Sequence, residues 1–245
     1  MTERLPVLVV GDVHGDLERL FSGLKPYPPG AWRTIFLGDL VDGGPFGVGA
    51  LRYARDRPHS SVLLGNHELL MLAALRDRAE RGPAVHAWLG AGGQPHDLEE
   101  LAKDEPLQLW MRQLPALEML DDGTLAQHCD SDQLGSLVPR HHPDPVAAIN
   151  QEVGRLLAED DYQPLIDRMT TRGVFRRQTL RLEAWLERTG ARRVVHGHTP
   201  HRSKKPEVYA GGRALCYDGG MGRWGRPGAF RGGSISGSVA PLPEL

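Results

Sequence analysis

Thr34-Ile35-Phe36-Leu37-Gly38-Asp39-Leu40-Val41-Asp42-Gly43-Gly44 is the stretch from which the rest of the chain can be read. Its first four residues are β-branched, aromatic or aliphatic and lie between turn formers, the pattern of a short buried strand. The run breaks at Gly38, and a carboxylate follows at once. In open α/β sheets ligands bind just beyond the carboxyl ends of strands, so Asp39 stands where a site residue belongs. Two other stretches repeat the design. Residues 5–10 are an apolar run that stops at Gly11-Asp12-Val13-His14-Gly15-Asp16, and Val62-Leu63-Leu64 stops at Gly65-Asn66-His67-Glu68. Asp39 lies 27 residues after Asp12, and Asn66 lies 27 after Asp39. That interval suits one strand–helix–strand crossover, which makes neighbouring strands parallel. Three parallel strands would then deliver Asp12, His14, Asp39, Asn66 and His67 to one edge of a sheet.

The chain has 245 residues, 40% hydrophobic and 24% charged, which is ordinary for one large α/β domain with a well-buried core. The net charge of −2 gives no global positive field for nucleic acid, so no nucleic-acid partner is expected. Cys129 and Cys216 make no disulfide framework and fit a reducing compartment. The first residues hold no signal-peptide core and no apolar run reaches spanning length, so the expected location is cytoplasmic, with no membrane partner. The sequence leaves the oligomeric state open.

Apolar spacing predicts crossover helices over 16–24 and 48–57 and a third helix over 68–81. Residues 82–120 are helical in flavour but interrupted by Gly90, Gly92, Gly93, Pro95, Pro106 and Pro115, and read as a helical insertion or cap within a single domain spanning 1–245. A strand is expected over 124–128, a loop over 134–145, and helices over 146–159, 162–170 and 177–188. A strand over 192–196 ends at Gly197-His198-Thr199, residues 208–209 and 214–217 form a hairpin around Gly211-Gly212, and 234–239 make a last edge strand.

The polar residues that follow strand ends are Asp12, His14, Asp39, Asn66, His67, His128 and His198. Carboxylate, imidazole and amide oxygen are the donors a pair of divalent transition ions would take. Two ions about 3.5–4 Å apart need a shared ligand, and a carboxylate can bridge because it has two oxygens; Asp39 is the bridge by position. In this order Gly-Asp-Val-His-Gly at 11–15, Gly-Asp-Leu-Val-Asp-Gly-Gly at 38–44, Gly-Asn-His-Glu at 65–68, His128 and Gly-His-Thr at 197–199 resemble a calcineurin-like metallophosphoesterase, closest to its bacterial-type protein serine/threonine phosphatase branch. The resemblance covers residues 7–220. It implies a four-layer αββα sandwich of two mixed β-sheets flanked by helices. It implies two divalent metal ions, with Mn2+ expected and Fe or Zn2+ also suited. Asp12, His14 and Asp39 would bind the first and Asp39, Asn66, His128 and His198 the second. A metal-activated water would attack phosphorus, His67 would protonate the leaving group, and Asp42 would hold His67 in its tautomer. The expected substrate is a phosphorylated protein or small molecule.

The chain departs from the family pattern at two places. Protein phosphatases of the family commonly carry Arg where this chain has Gly43, and Gly-Gly or Ala-Gly where it has Cys129-Asp130. Arg172 and Arg223 are the candidates to grip phosphate instead. The main expectation is therefore a phosphomonoesterase acting on phosphoprotein, with a diadenosine tetraphosphate or phosphodiester hydrolase as the alternative and a non-catalytic metal-binding regulator as a remote third. His196 reads as a strand-end residue rather than a ligand, His141 and His142 as loop histidines, Glu68 as a helix-start carboxylate, and Cys129 as a small buried hydrophobe. Asp130 and Asp132 could face substrate or cap a turn.

Overall fold

The computed structural model describes residues 4–222 and 233–245. Among them, β1 (Val7–Val10), β2 (Arg33–Phe36) and β3 (Ser60–Val62) are parallel, and β9 (Val239–Pro241) joins the free edge of β1 antiparallel, in the order β3-β2-β1-β9. A second sheet has the order β4-β5-β6-β8-β7, from β4 (Leu117–Met119), β5 (Thr124–Gln127), β6 (Arg193–His196), β7 (Glu207–Tyr209) and β8 (Ala214–Cys216). Its three central strands are parallel and its two edges antiparallel. Both sheets are thus mixed, as expected.

Side chains alternate across a strand, and here both faces are covered. Val9, Ile35, Leu37 and Leu63 of the first sheet and its strand ends meet Ala126, Val195, Leu215 and Tyr217 of the second in an inter-sheet layer. Leu8, Val10, Phe36, Leu125, Val194 and Ala214 turn outward beneath the helices. The result is helix, sheet, sheet, helix. On the first sheet α1 (Leu17–Leu24) and α2 (Gly47–Asp56) make the two crossovers. Asp16 caps α1 by accepting from the Arg19 amide. Phe21, on the apolar stripe expected of α1, is half exposed. Gly23 takes the inward position instead, because a Cβ there would lie 2.8 Å from Ile235. The helix α3 (Asn66–Asp77) begins two residues before the expected start, because the Glu68 carboxylate reaches back to the Gly65 amide at 2.9 Å.

Residues 82–120 form α4 (Pro83–Ala91), α5 (Pro95–Leu101) and α6 (Glu105–Met111), each with Pro in its first turn, where a missing N–H costs nothing. The stretch does not stay helical to residue 120. β4 forms at 117–119, its start held by Asn150, whose Oδ1 accepts from the Ala116 and Leu117 amides. Asn150 lies on α7 (Pro145–Ala158), which with α8 (Gln163–Met169) and α10 (Thr179–Thr189) accounts for the helices read after residue 145, while the short α9 (Val174–Arg177) was not read from sequence. Residues Gln133–Leu137, which overlap the start of the loop read over 134–145, make a 3-10 turn. The last strand is shifted too. Ser234 caps α11 (Ile235–Ser238) through its hydroxyl, and pairing starts only at Val239. Among the described residues, no helix is long and apolar enough to cross a membrane.

Leu63 is fully buried between the sheets. Leu63→Ala should lower the free energy of unfolding by about 2–5 kcal/mol, the range for truncating a buried Leu, as read from the urea midpoint at unchanged m-value.

Candidate metal centre

The carboxyl ends of β1, β2 and β3 meet those of β5 and β6 across the sandwich, and the loops that follow carry every residue singled out as a ligand. Asp12, His14, Asp39, Asn66, His128 and His198 are all buried, as are Asp42 and His67. Asp39 lies at the middle. Its Oδ1 accepts from the His67 amide at 2.9 Å and lies 3.3 Å from His128 Nε2. Its Oδ2 lies 3.9 Å from both His14 Nε2 and His67 Nε2. Asp12 Oδ2 is 3.7 Å from His14 Nε2, and Asp12 Oδ1 accepts from the His198 amide at 2.8 Å. The rings of His128 and His198 meet edge to face at 4.9 Å.

This convergence needs strained backbone. His14, Asp39, Asp42 and His198 all have positive φ, between 51° and 68°. For non-glycine residues such conformations cost on the order of 1–3 kcal/mol each and persist only where surroundings over-determine them. Here they are over-determined. The Asp39 carbonyl accepts from the amides of Val13 and His14 at 3.0 and 2.9 Å. The Glu68 carboxylate, fully buried, accepts from the amides of Asp39, Leu40 and Gly65 at 2.8, 2.7 and 2.9 Å. Sequence reading saw Glu68 as a helix-start carboxylate. It also ties the Asp39 loop to the start of α3, a long-range role that a local motif does not announce.

The donor set fits cations. His14 Nδ1 faces the Val41 carbonyl at 3.2 Å and His128 Nδ1 the Leu37 carbonyl at 2.9 Å. A carbonyl only accepts, so each Nδ1 carries the proton and each Nε2 keeps its lone pair for the site. His128 Nε2 then points at Asn66 Oδ1, 3.0 Å away, and at Asp39 Oδ1. Three acceptors converge there when His128 is neutral, and a shared cation would satisfy them. Asp12 Oδ2 and Asp39 Oδ2 are buried with no hydrogen-bond partner among the described residues. Ligand atoms of His14, Asp39 and His67 gather within 4.8 Å of one another, as do those of His128, Cys129 and His198. Imidazole nitrogen with carboxylate and amide oxygen suits divalent first-row metals.

The electrostatics agree. Burial pushes the Asp39 carboxyl up, but the imidazoles of His128, His67 and His14 outweigh it and hold the group well below the usual carboxylate range. Burial, then the charges of Asp218 and Asp39, push the Asp12 carboxyl up. Burial would lower His128, yet Asp39 and Asp12 raise it to about 9. Without metal, a proton takes the place of the cation. His198 is pushed down by burial and by His128 and stays a neutral donor.

His67 faces the same space. Its Nδ1 lies 2.7 Å from Asp42 Oδ2, and the other Asp42 oxygen accepts from the Trp88 indole N–H, also at 2.7 Å. Burial works against a charged His67, but Asp39 and Asp42 raise it to about 8. Trp88 was missed from sequence because it lies 46 residues from Asp42, with no local pattern linking the two.

Arg172 stands exposed at the rim with Nε 3.3 Å from His198 Nε2. Arg223 lies outside the described residues. Asp130 is fully buried and caps backbone: its Oδ1 accepts from the Gly173 amide at 2.8 Å and the Thr199 hydroxyl at 3.0 Å. It thereby joins the Arg172 loop to the His198 loop, whereas Asp132 pairs with Arg181. His196 turns away from the cluster to Tyr209, with Nε2 2.7 Å from the hydroxyl. His141 and His142 line a groove between the 3-10 turn and α10, outside the cluster. The Cys129 thiol donates to the Met169 carbonyl at 2.9 Å. Gly43 has φ +83°, and a Cβ there would lie 2.8 Å from the Gly222 carbonyl oxygen. An arginine at 43 would be strained in backbone and obstructed in space.

Two outcomes follow for the site. Metal binding must displace the proton on His128, so affinity should rise at least about tenfold per pH unit up to about 9, with at least one proton released, as calorimetry in buffers of different ionisation enthalpy reads. His67 and His128 also titrate above the unfolded value of about 6.5. Protonation therefore stabilises the metal-free fold fully below that pH, and the contribution is lost as pH rises through about 8 and 9, visible as a falling urea midpoint. Separately, a methyl at position 197 would stand 2.2 Å from Asp12 Oδ1. Gly197→Ala should weaken metal binding about 10- to 100-fold, the usual cost of disturbing a ligand's support, by metal titration.

Known proteins bear on this geometry in three ways. The profile of a family described as calcineurin-like phosphoesterase matches residues 5–202. A symmetrical bis(5'-nucleosyl)-tetraphosphatase of Methylobacillus flagellatus is 29% identical over 165 residues, 65% of this chain and 53% of the relative. A protein of the same name from Cronobacter sakazakii is 28% identical over 164 residues, 66% of this chain and 53% of the relative. The chain thus spans about half the length of the curated relatives it matches. Among solved structures, the cold-active protein-tyrosine phosphatase of a Shewanella species superposes with a TM-score of 0.67 over 98% of this chain and 81% of that one, at 16% identity, a likeness of fold. The matched span, residues 5–202, includes Asp12, Asp39, Asn66, His128 and His198, and the chain belongs to the calcineurin-like phosphoesterase family.

Proposed function

We propose that this chain is a metal-dependent hydrolase that cleaves dinucleoside tetraphosphates, such as diadenosine tetraphosphate, at the centre of the phosphate chain. The observation that carries the reading is the likeness, over about two thirds of the chain, to proteins named symmetrical bis(5'-nucleosyl)-tetraphosphatase. This reverses the ranking drawn from sequence, which put a phosphoprotein substrate first. Gly43 counts against the phosphoprotein reading, since the arginine that protein phosphatases of the resemblance carry would be obstructed there by the Gly222 carbonyl.

Asp12, His14 and Asp39 would hold one divalent cation, and Asp39, Asn66, His128 and His198 the other, with Mn2+ the first to try and Fe or Zn2+ also suited to the donors. Bound cations supply positive charge against the phosphoryl oxygens and lower the pKa of water. The chain's own part is orientation and proton handling. The loops fix Asp39 between both ligand groups, and Arg172 at the rim offers a guanidinium to the phosphate chain. Asp42 fixes the proton on His67 Nδ1, so that, when the imidazole is protonated, Nε2 can give a proton to the leaving oxygen. In symmetrical cleavage one water adds across the central P–O–P bond; its oxygen joins one phosphorus, the bridging oxygen leaves with the other, and two nucleoside diphosphates result.

The His67–Asp42 pair favours a second reading, a phosphomonoesterase. A diphosphate leaves readily without help, whereas an alkoxide needs a proton. The two are separated by comparing kcat/KM for diadenosine tetraphosphate, a phosphoserine peptide and a bis-aryl phosphate at fixed Mn2+, with chelated protein as the blank. The expected outcome is preference for the dinucleotide with ADP as its only nucleotide product. Equal amounts of ATP and AMP, or preference for the peptide, would overturn the first reading. His67→Asn should cut kcat about 10²- to 10⁴-fold on an alkyl phosphate and far less on the dinucleotide.

A further inference from the structure

The segment from α4 to α5 reads from sequence as an insertion or cap, yet its contacts go to the back of the His67–Asp42 pair. Trp88 is 1% exposed, and its indole N–H donates to Asp42 Oδ1 while Oδ2 is engaged by His67 Nδ1. Both oxygens of Asp42 are therefore spoken for, which fixes the rotation of its carboxylate. The loop beyond Asp42 is held by the same segment at four more places. The Gly43 amide donates to the Gly92 carbonyl at 2.9 Å, and His96 Nε2 lies 2.8 Å from the Pro45 carbonyl. The Asp97 carboxylate, 1% exposed, accepts from the amides of Gly47 and Val48 at 3.0 and 3.2 Å and so caps α2. Trp88 itself is seated by Gly93, where a Cβ would fall 2.2 Å from the indole ring. Asp42 has left-handed backbone, which a non-glycine residue keeps only where its surroundings hold it.

We propose that residues 82–101 are a positioning element for the proton donor, with Trp88 the outer member of a Trp88–Asp42–His67 chain. Trp88 touches no reacting atom. It acts through Asp42, whose orientation sets where His67 Nε2 points. A general acid works only within hydrogen-bond reach of the oxygen it protonates, and small misplacements cost large factors. The proposal rests on His67 being that donor.

The test is a leaving-group series. Trp88→Phe removes the N–H and keeps an aromatic ring; replacing Trp88 by benzothienylalanine keeps the full bicyclic shape without the N–H, should Trp88→Phe fail to fold. Both are compared with wild type and with His67→Asn on phosphate monoesters from nitrophenyl to alkyl, with metal content measured throughout. The expected result is unchanged metal content and KM, a kcat loss under twofold on nitrophenyl phosphate, and about tenfold on the alkyl ester. A loss uniform across the series, or none, overturns the proposal. If His67→Asn shows leaving-group dependence and the Trp88 variants do not, the positioning role fails alone. If none of the variants shows it, the proton-donor reading fails with it.

Discussion

One buried carboxylate, that of Asp39, sets the terms for the rest of the molecule. It has no access to water, and the imidazoles of His14, His67 and His128 stand around it. A buried anion is tolerated only when paired and hydrogen-bonded. The fold meets that demand from both sheets at once: the His67 amide from the first, the His128 ring from the second. The left-handed turns, the Glu68 brace and the reach of Asp12 to the His198 amide are the means by which distant strand ends are brought to that point.

The division of labour between the two oxygens of Asp39 also explains why the cluster has two sides. Oδ1 lies with His128 and Asn66, and Oδ2 with His14 and His67. The side toward His67 is continuous with Asp42 and Trp88, and the side toward His198 with Arg172. Under the proposed function, proton handling at His67 and anion handling at Arg172 would thus flank one shared centre.

Much of this was legible in the sequence, for a physical reason. Asp12, Asp39, Asn66 and His198 each follow a short apolar strand terminated by glycine, so local composition marks both the strand and the residue that leaves it; His128 follows Gln127 directly. The parallel order of β1, β2 and β3 follows from the crossover lengths, and Asp12, Asp39, Asn66, His128 and His198 do converge. What could not be read depends on partners far away in the chain. Trp88, Glu68 and Asp130 look locally like a helix residue, a helix start and a turn; only the tertiary structure shows which loop each one holds. β4 was hidden because three residues carry little periodicity and its start is set by Asn150. At the carboxyl end, a serine cap diverted residues read as strand into a turn of helix.

The candidate ligands are drawn from both halves of the sandwich: Asp12, His14, Asp39 and Asn66 follow strands of one sheet, His128 and His198 strands of the other. Ions shared by that set would act as rivets through the inter-sheet seam as well as reagents. Supply of metal in the surroundings would then govern how long the folded chain survives, and scarcity would loosen the two sheets from the same end at which substrate enters.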